Sequence, residues 1–159
     1  RTMTIWGEGG SCPKAVREII MRAANRRKVA AIFVADRILP LQKSKYVSDI
    51  IVESDTNSAD SRIVSEAEIG DLAVTRDVPL ASELVKKGVT AVNDRGTVYS
   101  ANNIGERLSM RNFMYDLRES GIQVERHRPA TPKDIASFSN SFDRELTRLL
   151  KNRAIVSEK

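Results

Sequence analysis

The stretch TIWGEGGSCPKAV (residues 4–16) reads as a short strand, a glycine-rich loop and the start of a helix. Thr4 to Trp6 is the candidate strand, and Pro13 stands where the first turn of a helix tolerates proline. Apolar residues then recur at helical spacing, at Ala15, Val16, Ile19, Ile20, Ala23 and Ala24. A strand that passes through a loop into an amphipathic helix predicts the first unit of an α/β fold.

The same alternation continues along the chain. AAIFVAD (30–36) is a continuous apolar run typical of a buried parallel strand, and YVSDIIVES (46–54) contains another candidate. A helix is predicted over 58–69, DLAVT (71–75) and VTAVN (89–93) read as strands, and PLASELVKKG (79–88) has the Pro-first, Gly-last pattern of a short helix. We therefore predict a three-layer α/β/α fold with a mainly parallel central sheet, in which the segments beginning at Thr4, Ala30, Asp71 and Val89 are neighbouring parallel strands.

The last third of the chain predicts a helical C-terminal extension. NNIGERLSMRNFMYDLRESG (102–121) has helical spacing and ends at a glycine, and a Pro-containing connector (126–132) leads to a final helix over about 132–151. We expect an α/β domain over 1–121 and, over 122–159, a connector and helix packed on the same domain.

Composition narrows the function classes without choosing one. The 159 residues include 26 Lys and Arg against 21 Asp and Glu, a net charge of +5, which fits a polyanionic partner and equally an ordinary soluble basic protein. Cys12 is the only cysteine, so an intrachain disulfide and a Cys-rich zinc site are excluded and a reducing cytoplasm is expected. No apolar run is long enough to cross a bilayer, so no membrane partner is expected.

Acidic residues follow several predicted strands. Glu8 comes after the first strand, Asp36 after the second, Asp77 after DLAVT, and Asp60 begins the helix before that strand. Loops at the carboxyl ends of parallel strands converge, and clustered carboxylates attract Mg²⁺ or Mn²⁺, which suggests metal-assisted phosphodiester hydrolysis. The alternative is that Asp60 and Asp77 only cap or polarise helix N-termini.

Two other interpretations of the loop remain open. Gly7 and Gly9 form part of a dinucleotide-binding fingerprint, but Cys12 replaces the third glycine and Pro13 removes an amide, which disfavours a nicotinamide or flavin enzyme. Cys12 precedes a helix and could act as a nucleophile, although the only histidine, His127, is distant in sequence. A small buried cysteine is the simpler reading.

Three segments together carry a family resemblance: TIWGEGGSCPKAVREIIMRAA (4–24), ADSRIVSEAEIGDLAVTRDVPLASELVKKG (59–88) and IGERLSMRNFMYDLRESG (104–121). They resemble the YaiI/YqxD family of uncharacterised bacterial proteins, which is grouped with PIN-like nuclease domains. In that family the first loop typically reads Asp, small, Asp, small, Cys, Pro. Here Cys12 and Pro13 match, whereas Glu8 and Gly10 stand at the two Asp positions. Asp60, Asp71, Thr75 and Asp77 occupy matching positions.

The resemblance implies a PIN-like fold and a Mg²⁺- or Mn²⁺-dependent nuclease acting on RNA or another phosphodiester. Glu8, Asp60 and Asp77 would hold the cation, and Thr75 would complete the catalytic set. Gly10 removes an acidic ligand, so metal binding and activity are expected to be impaired. The alternative is a non-catalytic module that binds nucleic acid or phosphate.

Basic residues on the first and last helices could serve either function. If Arg26, Arg27, Arg144 and Arg148 flank the carboxylate edge, they could neutralise backbone phosphates there. The alternative is that they lie on unrelated faces and only keep the protein soluble.

Overall fold

The computed structural model describes residues 2–55, 57–124 and 128–157, with side chains as far as residue 153. Within these ranges the chain forms a six-stranded sheet and five α-helices. In chain order they are β1 (Thr4–Glu8), α1 (Lys14–Arg27), β2 (Ala30–Ala35), β3 (Val47–Ile51), α2 (Ser58–Glu66), β4 (Leu72–Val74), α3 (Val78–Lys87), β5 (Thr90–Val92), β6 (Val98–Tyr99), α4 (Ile104–Glu119) and α5 (Pro132–Ser157).

The described sheet has the order β3-β2-β1-β4-β5-β6. Strands β1 to β5 run parallel, and β6 pairs with β5 in the antiparallel direction. The predicted mainly parallel α/β sheet is therefore confirmed, and the four segments named from the sequence are neighbours. The sequence analysis did not predict β6, which is only two residues long.

Helices cover both faces of the sheet because successive strand residues point to opposite sides. On one side Ile5 and Phe33 are buried with residues of α1 and α5; on the other side Trp6 is buried with residues of α2 and α3. The first core includes Val16, Ile20, Phe138, Phe142 and Leu146, and the second includes Ile63, Leu80, Leu84 and Tyr99. The sheet and the helices packed over a core on each of its faces form the three layers.

Local sequence signals account for the ends of α1 and α3 but not for those of α2 and α5. Lys28 and Gly88 end α1 and α3 in the left-handed conformation, and Asp77 caps α3 with Pro79 in its first turn. The second helix ends at Glu66 rather than at residue 69, and α5 continues to Ser157, beyond the predicted residue 151. No helix in the described ranges combines the length and apolar character that crossing a membrane requires.

A buried carboxylate joins β1 to β4 at the amino edge of the sheet. Asp71, which precedes β4, is fully buried and accepts hydrogen bonds from Thr4 N and Trp6 Nε1, both at 3.0 Å, and from Glu68 N at 2.9 Å. Arg153 on α5 lies 3.9 Å from the same carboxylate. Asp71, one of the positions that match the family pattern, therefore has a structural role. It lies at the opposite end of β4 from the carboxyl edge.

Replacing this carboxylate tests that role. Asp71→Asn keeps the shape but turns one acceptor oxygen into a donor that faces N–H groups, so it should lower the free energy of unfolding by about 2–3 kcal/mol in urea titrations. The exposed Asp143 on α5 provides the control, since Asp143→Asn should cost less than about 0.5 kcal/mol. Equal effects of the two substitutions would contradict the assignment.

Candidate functional site

The strand order reverses beside β1, and this point carries the candidate site. Gly7 of β1 pairs with Val74 of β4, so the next residues, Glu8 and Thr75, lie side by side at the carboxyl end of these strands. Thr75 Oγ1 donates to Glu8 Oε2 at 2.7 Å, and the Ser11 hydroxyl donates to the same oxygen. Crevices at such switch points are the usual ligand sites of open α/β sheets.

The first turns of α2 and α3 bring two further carboxylates to this edge. Asp60 lies in the first turn of α2. Asp77 caps α3 by accepting from Leu80 N at 2.9 Å, and its own N–H donates to Thr75 Oγ1 at 3.0 Å. Asp77 therefore caps α3, and its backbone N–H contacts the same Thr75 hydroxyl that donates to Glu8.

The pKa of Asp60 shows that the three predicted acids are electrostatically coupled. Desolvation, as the largest cause, and the charges of Asp77 and Glu8 together raise the pKa of Asp60 from the ordinary value of 3.8 to about 7. A side-chain hydrogen bond with Asp77 acts in the same direction, because the protonated Asp60 carboxyl donates it. Near neutral pH, therefore, Asp60 carries a proton in a substantial fraction of molecules.

An acid that the sequence analysis did not select lies at the same edge. Asp94 follows β5, is 3% exposed, and pairs with Arg76 Nη2 at 2.6 Å. Arg76 also donates its backbone N–H to Ser11 Oγ at 2.9 Å, so the pair supports the loop that holds Glu8. The sequence signal that could have identified Asp94 is its position directly after the predicted strand VTAVN.

The structure separates the remaining candidates from this cluster. Asp36 is exposed after β2, with Ser54 Oγ at 3.3 Å and Arg37 Nε at 3.9 Å. Cys12 is buried, and burial raises the pKa of its thiol strongly, so it stays protonated and is unsuited to nucleophilic attack. His127 lies outside the described residues. The reading of Cys12 as a small core residue agrees with its burial.

The structure does not bring Arg26, Arg27, Arg144 and Arg148 to the carboxyl edge. Arg26 and Arg27 end α1 at the amino edge of the sheet, and each lies 3.9 Å from Asp143 of α5. Arg148 pairs with Glu145 at 2.8 Å and donates to Thr90 Oγ1, at the start of β5. Arg144 also lies near Glu145, at 3.7 Å. The amino and carboxyl edges of the sheet lie at opposite ends of the parallel strands, so these four arginines do not flank the carboxyl edge.

Protein groups form hydrogen bonds with the carboxyl groups of Glu8, Asp60 and Asp77, which together are the acidic cluster. Two hydroxyls contact Glu8, a backbone N–H contacts Asp77, and Asp60 and Asp77 share a hydrogen bond. Among the described residues, no group of three or more His, Cys, Asp or Glu side chains has an arrangement that could hold a metal ion. The assignment of Glu8, Asp60 and Asp77 as metal ligands, and of Thr75 as a catalytic residue, stays a prediction.

Comparison with known proteins identifies the family. A family model described as "Uncharacterized BCR, YaiI/YqxD family" matches residues 6–148. The chain belongs to the YaiI/YqxD family. A UPF0178 protein of Myxococcus xanthus is 46% identical over 149 residues, covering 94% of this chain and 97% of the relative. A UPF0178 protein of Treponema pallidum is 44% identical, covering 94% and 84%.

One solved structure has a similar outline. A Rossmann-fold NAD(P)-binding family protein from Shigella flexneri matches with a TM-score of 0.46 and 12% sequence identity, over 89% of this chain and 86% of that one.

The glycines at positions 7, 9 and 10 of this YaiI/YqxD family member differ in what they permit. A Cβ on Gly7, in β1, would lie 2.7 Å from the Phe33 ring, and one on Gly9, in the following loop, would lie 2.6 Å from Ala35 Cβ, so both allow close packing on β2. A Cβ on exposed Gly10 would meet only Glu8 Oε1, at 3.3 Å. Packing therefore requires glycine at positions 7 and 9 but leaves position 10 open.

Alanine substitutions separate these two situations. Gly9→Ala forces the loop away from β2 and should lower the free energy of unfolding by about 1–3 kcal/mol. Gly10→Ala should change it by less than about 0.5 kcal/mol, since the new Cβ meets only Glu8 Oε1, at 3.3 Å. Urea titration of both variants provides the measurement, and a larger cost at Gly10 would contradict the packing argument.

The raised pKa of Asp60 predicts a pH-dependent stability. Because its folded-state pKa lies above its unfolded value, stability from the protonated form is complete at low pH and is lost as pH rises toward 7. Relative to Asp60→Asn, the unmodified chain should lose about 1–2 kcal/mol between about pH 5 and pH 8, a discounted value because Asp60 is only half-buried.

Chemical denaturation across this pH range gives the measurement. Asp116→Asn, a substitution of an exposed acid on α4, is the control and should leave the pH profile unchanged. Parallel profiles for Asp60→Asn and the unmodified chain would show that Asp60 is not protonated near neutrality.

Proposed function

We propose that this chain is a nuclease-like domain directed at RNA or another phosphodiester, and that the glycine at position 10 impairs its hydrolytic site. One observation carries the proposal: a Cβ on Gly10 lies 3.3 Å from Glu8 Oε1 without meeting other atoms within 4 Å. An aspartate at this position, which the family pattern implies, would direct its carboxylate alongside Glu8.

The donors as they stand do not fit the Mg²⁺ or Mn²⁺ that the resemblance implies. Glu8 Oε2 is engaged by two hydroxyls, and Asp77 is engaged by the α3 cap and by Asp60. Magnesium in particular demands several oxygen ligands in a regular arrangement. The missing ligand at position 10 therefore accounts for the impairment.

The residues of the cluster support an acid–base function of their own. Asp60, with a pKa of about 7, can hold or accept a proton near neutrality, which is the property required of a general acid or base. Thr75 and Ser11 fix the orientation of Glu8, so its second oxygen, Oε1, faces Gly10. A cytoplasmic location belongs to the same proposal and rests on the lone buried thiol of Cys12.

Restoring the acid tests the proposal. Gly10→Asp should raise Mn²⁺ affinity about tenfold or more, measured by calorimetry, because it adds a carboxylate ligand beside Glu8. The same variant should hydrolyse a fluorescent single-stranded RNA faster than the unmodified chain when Mn²⁺ is present. Gly105→Asp is the matched control, since it adds the same charge on α4, where no atom lies within 4 Å of the new Cβ.

The two measurements separate the alternatives. Tight Mn²⁺ binding by the unmodified chain that Gly10→Asp leaves unchanged would overturn the impairment argument. Gain of Mn²⁺ binding without hydrolysis would favour the non-catalytic nucleic-acid or phosphate-binding module. Gain of both, lost again in Gly10→Asp combined with Glu8→Gln, is the expected result.

A further inference from the structure

A groove of about 610 Å³ runs between α1 and the segment after β2. One wall is a single face of α1, and the other is formed by residues 40–42. The α1 wall includes Lys14, Arg17, Glu18 and Arg22.

The groove is positively charged. Three cationic side chains, Lys14, Arg17 and Arg22, line it together with one acid, Glu18. Lys14 and Arg22 are exposed to solvent. The groove residues thus carry a net charge of +2 when Glu18 is subtracted from the three cations. A concave surface of one sign concentrates ions of the opposite sign.

The groove is continuous with the loop of the acidic cluster. Arg17 Nη1 donates to Cys12 O at 2.6 Å, and Cys12 lies at the end of the loop that begins at Glu8. The Nε of Arg17 is buried and has no hydrogen-bond partner among the described residues. This arginine therefore connects the groove to the site and makes less than its full set of hydrogen bonds.

The arginines at the amino edge lack these features. Arg26 and Arg27 lie near Asp143, and Arg144 and Arg148 lie near Glu145, so acids of α5 partly neutralise that surface. The groove beside α1 combines excess positive charge, a concave shape and contact with the loop of the candidate site.

We infer that this groove binds the phosphate backbone of single-stranded RNA and leads the strand to the acidic cluster. The inference rests on the proposed function, for which it names the path of the substrate. Arg17, Lys14 and Arg22 would each contact a phosphate, so the logarithm of affinity should fall with the logarithm of salt concentration with a slope of about 2, at about 0.7 per contact.

Binding of a labelled single-stranded RNA, followed by anisotropy across a salt series, tests the groove. The double variant Lys14→Ala, Arg22→Ala should bind about tenfold more weakly at low salt, with the slope reduced to about 0.7. Glu18→Gln should bind about threefold more tightly, because Glu18 is the one acid among the described residues that line the groove. All three substituted side chains are exposed, and circular dichroism checks that the variants fold.

Two controls distinguish the groove from general charge. Arg26→Ala with Arg144→Ala removes the same net charge at the amino edge and should leave affinity within about twofold of the unmodified chain. An oligonucleotide of the same sequence with an uncharged methylphosphonate backbone should not bind. Equal losses in the two double variants, or no RNA binding at low salt, would overturn the inference.

Failure of the groove and failure of the proposed function are distinguishable. The anisotropy measurement uses the unmodified chain without added metal, whereas the test of function depends on Mn²⁺ binding and hydrolysis by Gly10→Asp. RNA binding through the groove with no gain of hydrolysis supports the inference and removes only the hydrolytic part of the proposal.

Discussion

The position of β1 between β2 and β4 determines the candidate site, and the Asp71 carboxylate fixes one side of that arrangement. By accepting from Thr4 N and Trp6 Nε1, it fastens the start of β1 to the residue before β4. The register that follows pairs Gly7 with Val74 and brings Glu8 beside Thr75 at the other end of the same strands. A contact at the amino edge therefore sets geometry at the carboxyl edge.

At the carboxyl edge, protein groups interact with each of the three neighbouring acids Glu8, Asp60 and Asp77. Hydroxyl donors stabilise the charge on Glu8, the N-terminus of α3 stabilises Asp77, and Asp60 avoids repulsion by retaining a proton. Each of these interactions involves carboxyl oxygens that a bound metal ion would otherwise share. An additional acid at position 10 would increase the repulsion and thereby favour a cation, so Gly10 and the observed hydrogen bonds are mutually consistent.

The sequence predicted the parallel sheet well because its apolar runs are separated by clear helix signals, such as Pro79 and Gly88 around α3. It did not predict β6, since two residues give no measurable alternation, or the pairing of Asp94 with Arg76, which depends on the distance between two loops. It also named Glu8, Asp60 and Asp77, whose electrostatic coupling the structure shows. Whether these acids bind metal depends on orientations that residue order does not encode.

Helical spacing alone does not show whether a row of arginines forms an unbalanced positive surface. The helical spacing of Arg144 and Arg148 was visible in the sequence, but the neighbouring Glu145 lies close to both and reduces their joint charge. On α1, by contrast, Lys14 and Arg22 share a groove with a single acid, Glu18. Charge directs a polyanion only where it remains unbalanced over a surface that the polyanion can follow, and this condition depends on packing between α1 and residues 40–42 rather than on composition.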